Sequence, residues 1–74
     1  MKTYVEVYVS ADGEKASIIS EKLLEFGLKP TIGEHDFVYN WKEEVPLSEV
    51  LIFIDRVQAK LKGTGAILNF STIR

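Results

Sequence analysis

The stretch Leu28-Lys29-Pro30-Thr31-Ile32-Gly33-Glu34-His35-Asp36-Phe37-Val38-Tyr39-Asn40-Trp41 decides how this chain folds. Leu28 to Ile32 reads as a short extended segment and Gly33-Glu34-His35 as a turn. Asp36 to Trp41 is an alternating run with Phe37, Tyr39 and Trp41 in phase. Two extended runs joined by a glycine-bearing turn make a β-hairpin. Because the hairpin sits in mid-chain, what flanks it on each side sets the topology.

On the N-terminal side, Thr3, Val5, Val7 and Val9 alternate with Tyr4, Glu6 and Tyr8, the period of a strand with one face toward a core. After the turn residues Asp12-Gly13, apolar Ala16, Ile19, Leu23 and Phe26 recur at helical spacing, and Gly27 stands where a left-handed residue ends a helix. On the C-terminal side, Pro46 suits the first turn of a helix running to Lys62. Its inner stripe is Leu47, Val50, Ile54, Val57 and Leu61, and Gly63 stops it. Ala66 to Ile73 closes the chain as a strand, with Ala66, Leu68 and Phe70 alternating against Ile67, Asn69 and Ser71.

The order is βαββαβ, two split βαβ units. Right-handed crossovers fold such units into a four-stranded antiparallel sheet with both helices on one face. The expected class is α+β, a ferredoxin-like two-layer sandwich with strand order 4-1-3-2, in a single domain spanning residues 1–74. Pro30 fits this order, because a residue without an N–H belongs on an edge strand and the second strand lies at an edge. The third strand could be shifted by one residue, turning Phe37, Tyr39 and Trp41 outward. Burial favours the inward phase, since these rings are the largest contributors to a thin core.

The core is thin because 74 residues remove only about 60% of their surface from water on folding. The apolar part of that burial is worth roughly 110 kcal/mol at about 25 cal/mol/Å², and the conformational entropy lost is of the same size. A second copy of the chain is therefore a natural source of stability.

Composition excludes several classes. There is no Cys, hence neither a disulfide scaffold nor a thiolate metal site, and a reducing cytoplasm is the expected location. The longest apolar run, Val50 to Ile54, is far short of the roughly 20 residues of a membrane span, and the N-terminus does not read as a secretion signal. The net charge is −2 and no segment concentrates Lys or Arg, which disfavours nucleic acid as a partner. His35 is the only histidine, too few ligands with Asp36 alone for a metal, and Ser10, Ser48 and Ser71 show no spacing that would assemble a hydrolytic triad. No catalytic residue, cofactor or metal is expected.

With helices on one side, the opposite face carries Tyr4, Glu6, Tyr8, Asp36, Val38, Asn40, Ile67, Asn69, Ser71 and Ile73. Tyr4, Tyr8, Val38, Ile67 and Ile73 are the candidate interface of a two-fold homo-oligomer. A base-stacking sheet using Tyr4 and Tyr8 is the weaker alternative, since flanking basic residues are missing. A third is an adaptor surface on Ile52 and Phe53, because five successive apolar residues on a helix must point all the way round.

One motif is more specific. The hairpin Gly33-Glu34-His35-Asp36-Phe37-Val38-Tyr39 has the form Gly-x-x-Asp followed by three apolar residues. It follows a βα unit and precedes a helix ending at Gly63 and the strand Phe70-Ser71-Thr72-Ile73. In this the chain resembles the ligand-binding RAM domain of Lrp/AsnC-type transcription regulators, in a stand-alone version without a helix-turn-helix. The resemblance implies a ferredoxin-like domain that dimerises through its sheet and binds a small amino-acid-like effector near the turn between the second and third strands. Gly33 and His35 would form that turn, Asp36 would receive an ammonium group, and Ser71 or Thr72 would offer hydroxyls. The chain departs from the family pattern at His35, where an aromatic is usual, and at Gly65-Ala66 in place of Gly-Val.

Overall fold

A computed structural model describes residues 1–74. The elements are β1 (Lys2–Tyr8), α1 (Ala16–Glu25), β2 (Lys29–Pro30), β3 (Phe37–Asn40), α2 (Leu47–Leu61) and β4 (Ile67–Ile73). They form one antiparallel four-stranded sheet in the order β2-β3-β1-β4, the α+β ferredoxin-like sandwich expected from the sequence. No helix is long and apolar enough to cross a membrane.

Register fixes which residues share a face. Thr3 pairs with Tyr39 and Thr72, Val5 with Phe37 and Phe70, and Val7 with Leu68. The apolar side chains among them meet Ile19 and Leu23 of α1 and Val57 and Leu61 of α2 in the core. Phe37, Tyr39 and Trp41 therefore point toward the helices, as burial demands.

The hairpin differs from its sequence reading in length. β2 is only Lys29–Pro30, and β3 starts at Phe37, so the connection runs from Thr31 to Asp36. Pro30 has no N–H to extend the ladder, and the last link is Thr31 N–H donating to the Asp36 carbonyl at 3.0 Å.

The second helix is also corrected. Pro46 precedes it rather than joining its first turn, and its carbonyl accepts from the Glu49 N–H at 3.0 Å. Leu47 is exposed, while Phe53, three residues after buried Val50, packs against the core. Its ring stacks on Tyr39 at 4.5 Å between centroids and meets Trp41 at 5.3 Å and Phe26 at 6.4 Å edge to face. Such pairs add about 0.5–1.5 kcal/mol each beyond area burial. Gly27, in the left-handed region at φ +84°, ends α1, and a Cβ there would press on the Tyr39 ring.

Beside this aromatic group lies a polar node. Thr3 is wholly buried. Its hydroxyl accepts from the Trp41 indole N–H at 2.8 Å and shares a 2.8 Å hydrogen bond with the Thr72 hydroxyl. The node ties β1, β4 and the end of β3 beneath the helices, and no buried side-chain polar atom is left unpaired. Thr3→Val keeps the shape but orphans two partners, and stranded buried polar groups cost about 1–3 kcal/mol each. Urea unfolding followed by Trp41 fluorescence should show a larger loss for Thr3→Val than for Thr72→Val. Equal losses would mean that the indole N–H is satisfied by water.

Candidate functional site

The face of the sheet away from the helices has no covering layer. Across it, Tyr4 lies between Val38 and Ser71, Glu6 faces Asn69, Tyr8 faces Ile67, and Lys2 lies between Asn40 and Ile73. All five residues assigned to an interface from sequence, Tyr4, Tyr8, Val38, Ile67 and Ile73, thus share one surface. Tyr8 is 52%, Ile67 64% and Ile73 55% exposed, although strand residues of this size normally bury against something. Tyr4 is half-buried because the His35 ring stacks on it at 4.6 Å with an interplanar angle of 30°. One of the two tyrosine rings considered for base stacking is therefore already engaged.

The face is acidic at the β1 C-terminal end. The Tyr8 hydroxyl donates to Glu6 Oε2 at 3.3 Å. The Glu6 carboxylate raises the Tyr8 pKa above its ordinary value, first by charge and then through this bond, with a smaller contribution from Asp36.

The five candidate ligand residues do not converge on one pocket. Gly33 sits at φ +112° with no atom near the position of a Cβ, and neighbouring Ile32 is fully exposed, so the tip of the turn projects into solvent. His35 and Ser71 both adjoin Tyr4 on the open face, one by stacking and one as its cross-strand neighbour. Thr72 points the other way, into the Thr3 node.

Asp36, assigned to the open face from sequence, lies just beyond the N-terminal end of β3, where its side chain bonds the β1 backbone. β3 stops pairing with β1 at Phe37, which would strand the Val7 N–H. The Asp36 Oδ2 accepts that N–H at 2.8 Å, and the Asp36 N–H donates to the Val5 carbonyl at 3.1 Å. The residue so held lines a cleft of about 330 Å³ on the helix side, together with Val7, Val9, Ile19, Ser20 and Phe37. Alternation along β3 extrapolates a straight strand through Asp36 and so could not show this bond to β1. No cluster of His, Asp and Glu suited to a metal ion is present.

Comparison with known proteins adds no relative: no family model matches the chain, and neither a curated protein nor a solved structure resembles it significantly.

The electrostatics of the open face are accessible to spectrophotometric titration. Of the three tyrosines, Tyr8 should ionise above the ordinary range, and Glu6→Gln should lower its pKa by removing both the charge and the preferred acceptor. An unchanged Tyr8 titration in Glu6→Gln would show that the two side chains do not interact.

Proposed function

We propose that this chain is a non-enzymatic, self-associating module. Its open sheet face is an interface between two copies, and it takes a small amphoteric effector of amino-acid type at Asp36. The observation that carries the reading is the uncovered apolar strip of Tyr8, Ile67 and Ile73 with half-buried Tyr4 and Val38 beside it. Only 10 of 74 residues are buried, and the accessible surface is 5120 Å², about a tenth more than the roughly 4,600 Å² expected of a monomer of this mass.

Asp36 supports the effector. A carboxylate at the rim of a cleft walled by Val7, Val9, Ile19 and Phe37 matches an ammonium group joined to an apolar side chain, and Ser20 supplies a second polar contact. The likeness to RAM domains points to the same class of ligand, although the cleft lies on the helix side of Asp36 and the tip of the turn at Gly33 takes no part in it.

Size-exclusion chromatography with light scattering tests the interface. At high micromolar concentration the wild type should elute as a dimer or larger, and Tyr8→Lys/Ile67→Lys as a folded monomer. A monomeric wild type would end the interface reading. Thermal shift across a panel of amino acids tests the effector. A ligand at about a hundred times its dissociation constant stabilises the native state by about 2.7 kcal/mol, several degrees for a domain of this size. Asp36→Asn should abolish the shift while its amide oxygen still serves the Val7 N–H. No response to any member of the panel would remove the effector and leave the interface standing.

A further inference from the structure

Where β3 runs on past Lys29 with no β2 partner, a concavity of about 460 Å³ opens between Gly27 and Lys29 on one side and Lys2, Asn40 and Lys42 on the other. Three of the nine basic residues of an acidic chain line it, and no carboxylate does. The single ion pair of the protein joins Lys60 to Glu25, so none of these three ammonium groups has an acidic partner. Like charges gathered around one hollow raise the local positive potential, and with no carboxylate lining it the hollow attracts an anion from outside.

A second feature converges on the same place. Lys42, at φ +68°, is the only non-glycine residue in the left-handed region. A lysine gains nothing intrinsic from that conformation, which glycine or asparagine adopts more readily. It is held there by the Asn40 side chain, whose Oδ1 accepts the Lys42 N–H at 2.9 Å. The Asn40 NH₂ has no protein partner and is free to donate to a ligand. A strained lysine, two further lysines and an amide donor surround one hollow that no carboxylate lines.

We propose that this notch binds a small polyanion through phosphate groups. Lysine ammoniums act as point charges for phosphate and require no bidentate geometry, and three of them match the charge of a diphosphate better than that of a single carboxylate. The notch is built within one chain, so binding is expected whether or not the open face pairs with a second copy. Asp36 and its cleft adjoin the opposite end of β1, so the notch is separate from the effector site.

The test is a ¹H–¹⁵N NMR titration of the full chain with sodium pyrophosphate at constant ionic strength. Saturable shifts should concentrate at the amides of Lys2, Lys29, Asn40 and Lys42. Lys29→Gln/Lys42→Asn, which keeps a residue tolerant of the left-handed turn, should weaken binding by about tenfold or more. Lys15→Gln/Lys22→Gln removes the same charge from the first helix and its approach, and should leave the affinity unchanged. ADP in place of pyrophosphate separates two sources of the group: equal affinity assigns the ligand to free diphosphate, and tighter binding to a nucleotide. The proposal is overturned if shifts fail to saturate at millimolar pyrophosphate, or if the control variant loses as much affinity as the notch variant.

Discussion

Two helices can cover one face of a four-stranded sheet, and this chain has no third layer. That constraint places every large side chain of alternate phase, from Val5 and Phe37 to Leu68 and Phe70, beneath α1 and α2. It leaves Tyr8, Ile67 and Ile73 on the other side with nothing above them. The interior must then be held together economically. The Thr3 hydroxyl joins three segments of the sheet through Trp41 and Thr72, and the four rings of Phe26, Tyr39, Trp41 and Phe53 fill the space between the sheet and both helices. By contrast, the exposed Lys60–Glu25 pair adds little, since solvent screens it.

The brevity of β2 does more than end an edge strand. Because pairing with β3 stops after Lys29 and Pro30, the sheet acquires a notch at one end and a loose six-residue connection, Thr31 to Asp36, at the other. The first gathers lysines around Asn40 and the second frees the Asp36 side chain to accept the Val7 N–H. Both candidate ligand sites are thus consequences of the same interruption, which shortens the edge on the β2 side of the sheet.

How much of this is legible in the sequence follows from the range of the interactions involved. The alternation of β1, the glycine stops at Gly27 and Gly63, and the edge position of Pro30 depend on local stereochemistry, and each reads directly from neighbouring residues. Phe53 could have been read as a core residue from its three-residue spacing to Val50; a stripe drawn at Leu47, Val50, Ile54, Val57 and Leu61 missed it because Leu47 took the place of the ring that packs. The side chain of Asp36 turns on an orphaned N–H on another strand, and the hydroxyl of Thr72 on a partner 69 positions away. The left-handed turn of Lys42 depends on the rotamer of Asn40. None of these has a periodicity to betray it.

The two ends of the open face carry opposite charge, and this bears on how two copies could meet. Glu6 and the Asp36 turn lie toward the C-terminal end of β1, while Lys2, Lys29 and Lys42 lie toward its N-terminal end. A second copy laid on the sheet with its strands running the same way would bring like charges together, whereas a two-fold axis across the strands brings each lysine-rich end over an acidic one and keeps the apolar strip in the middle.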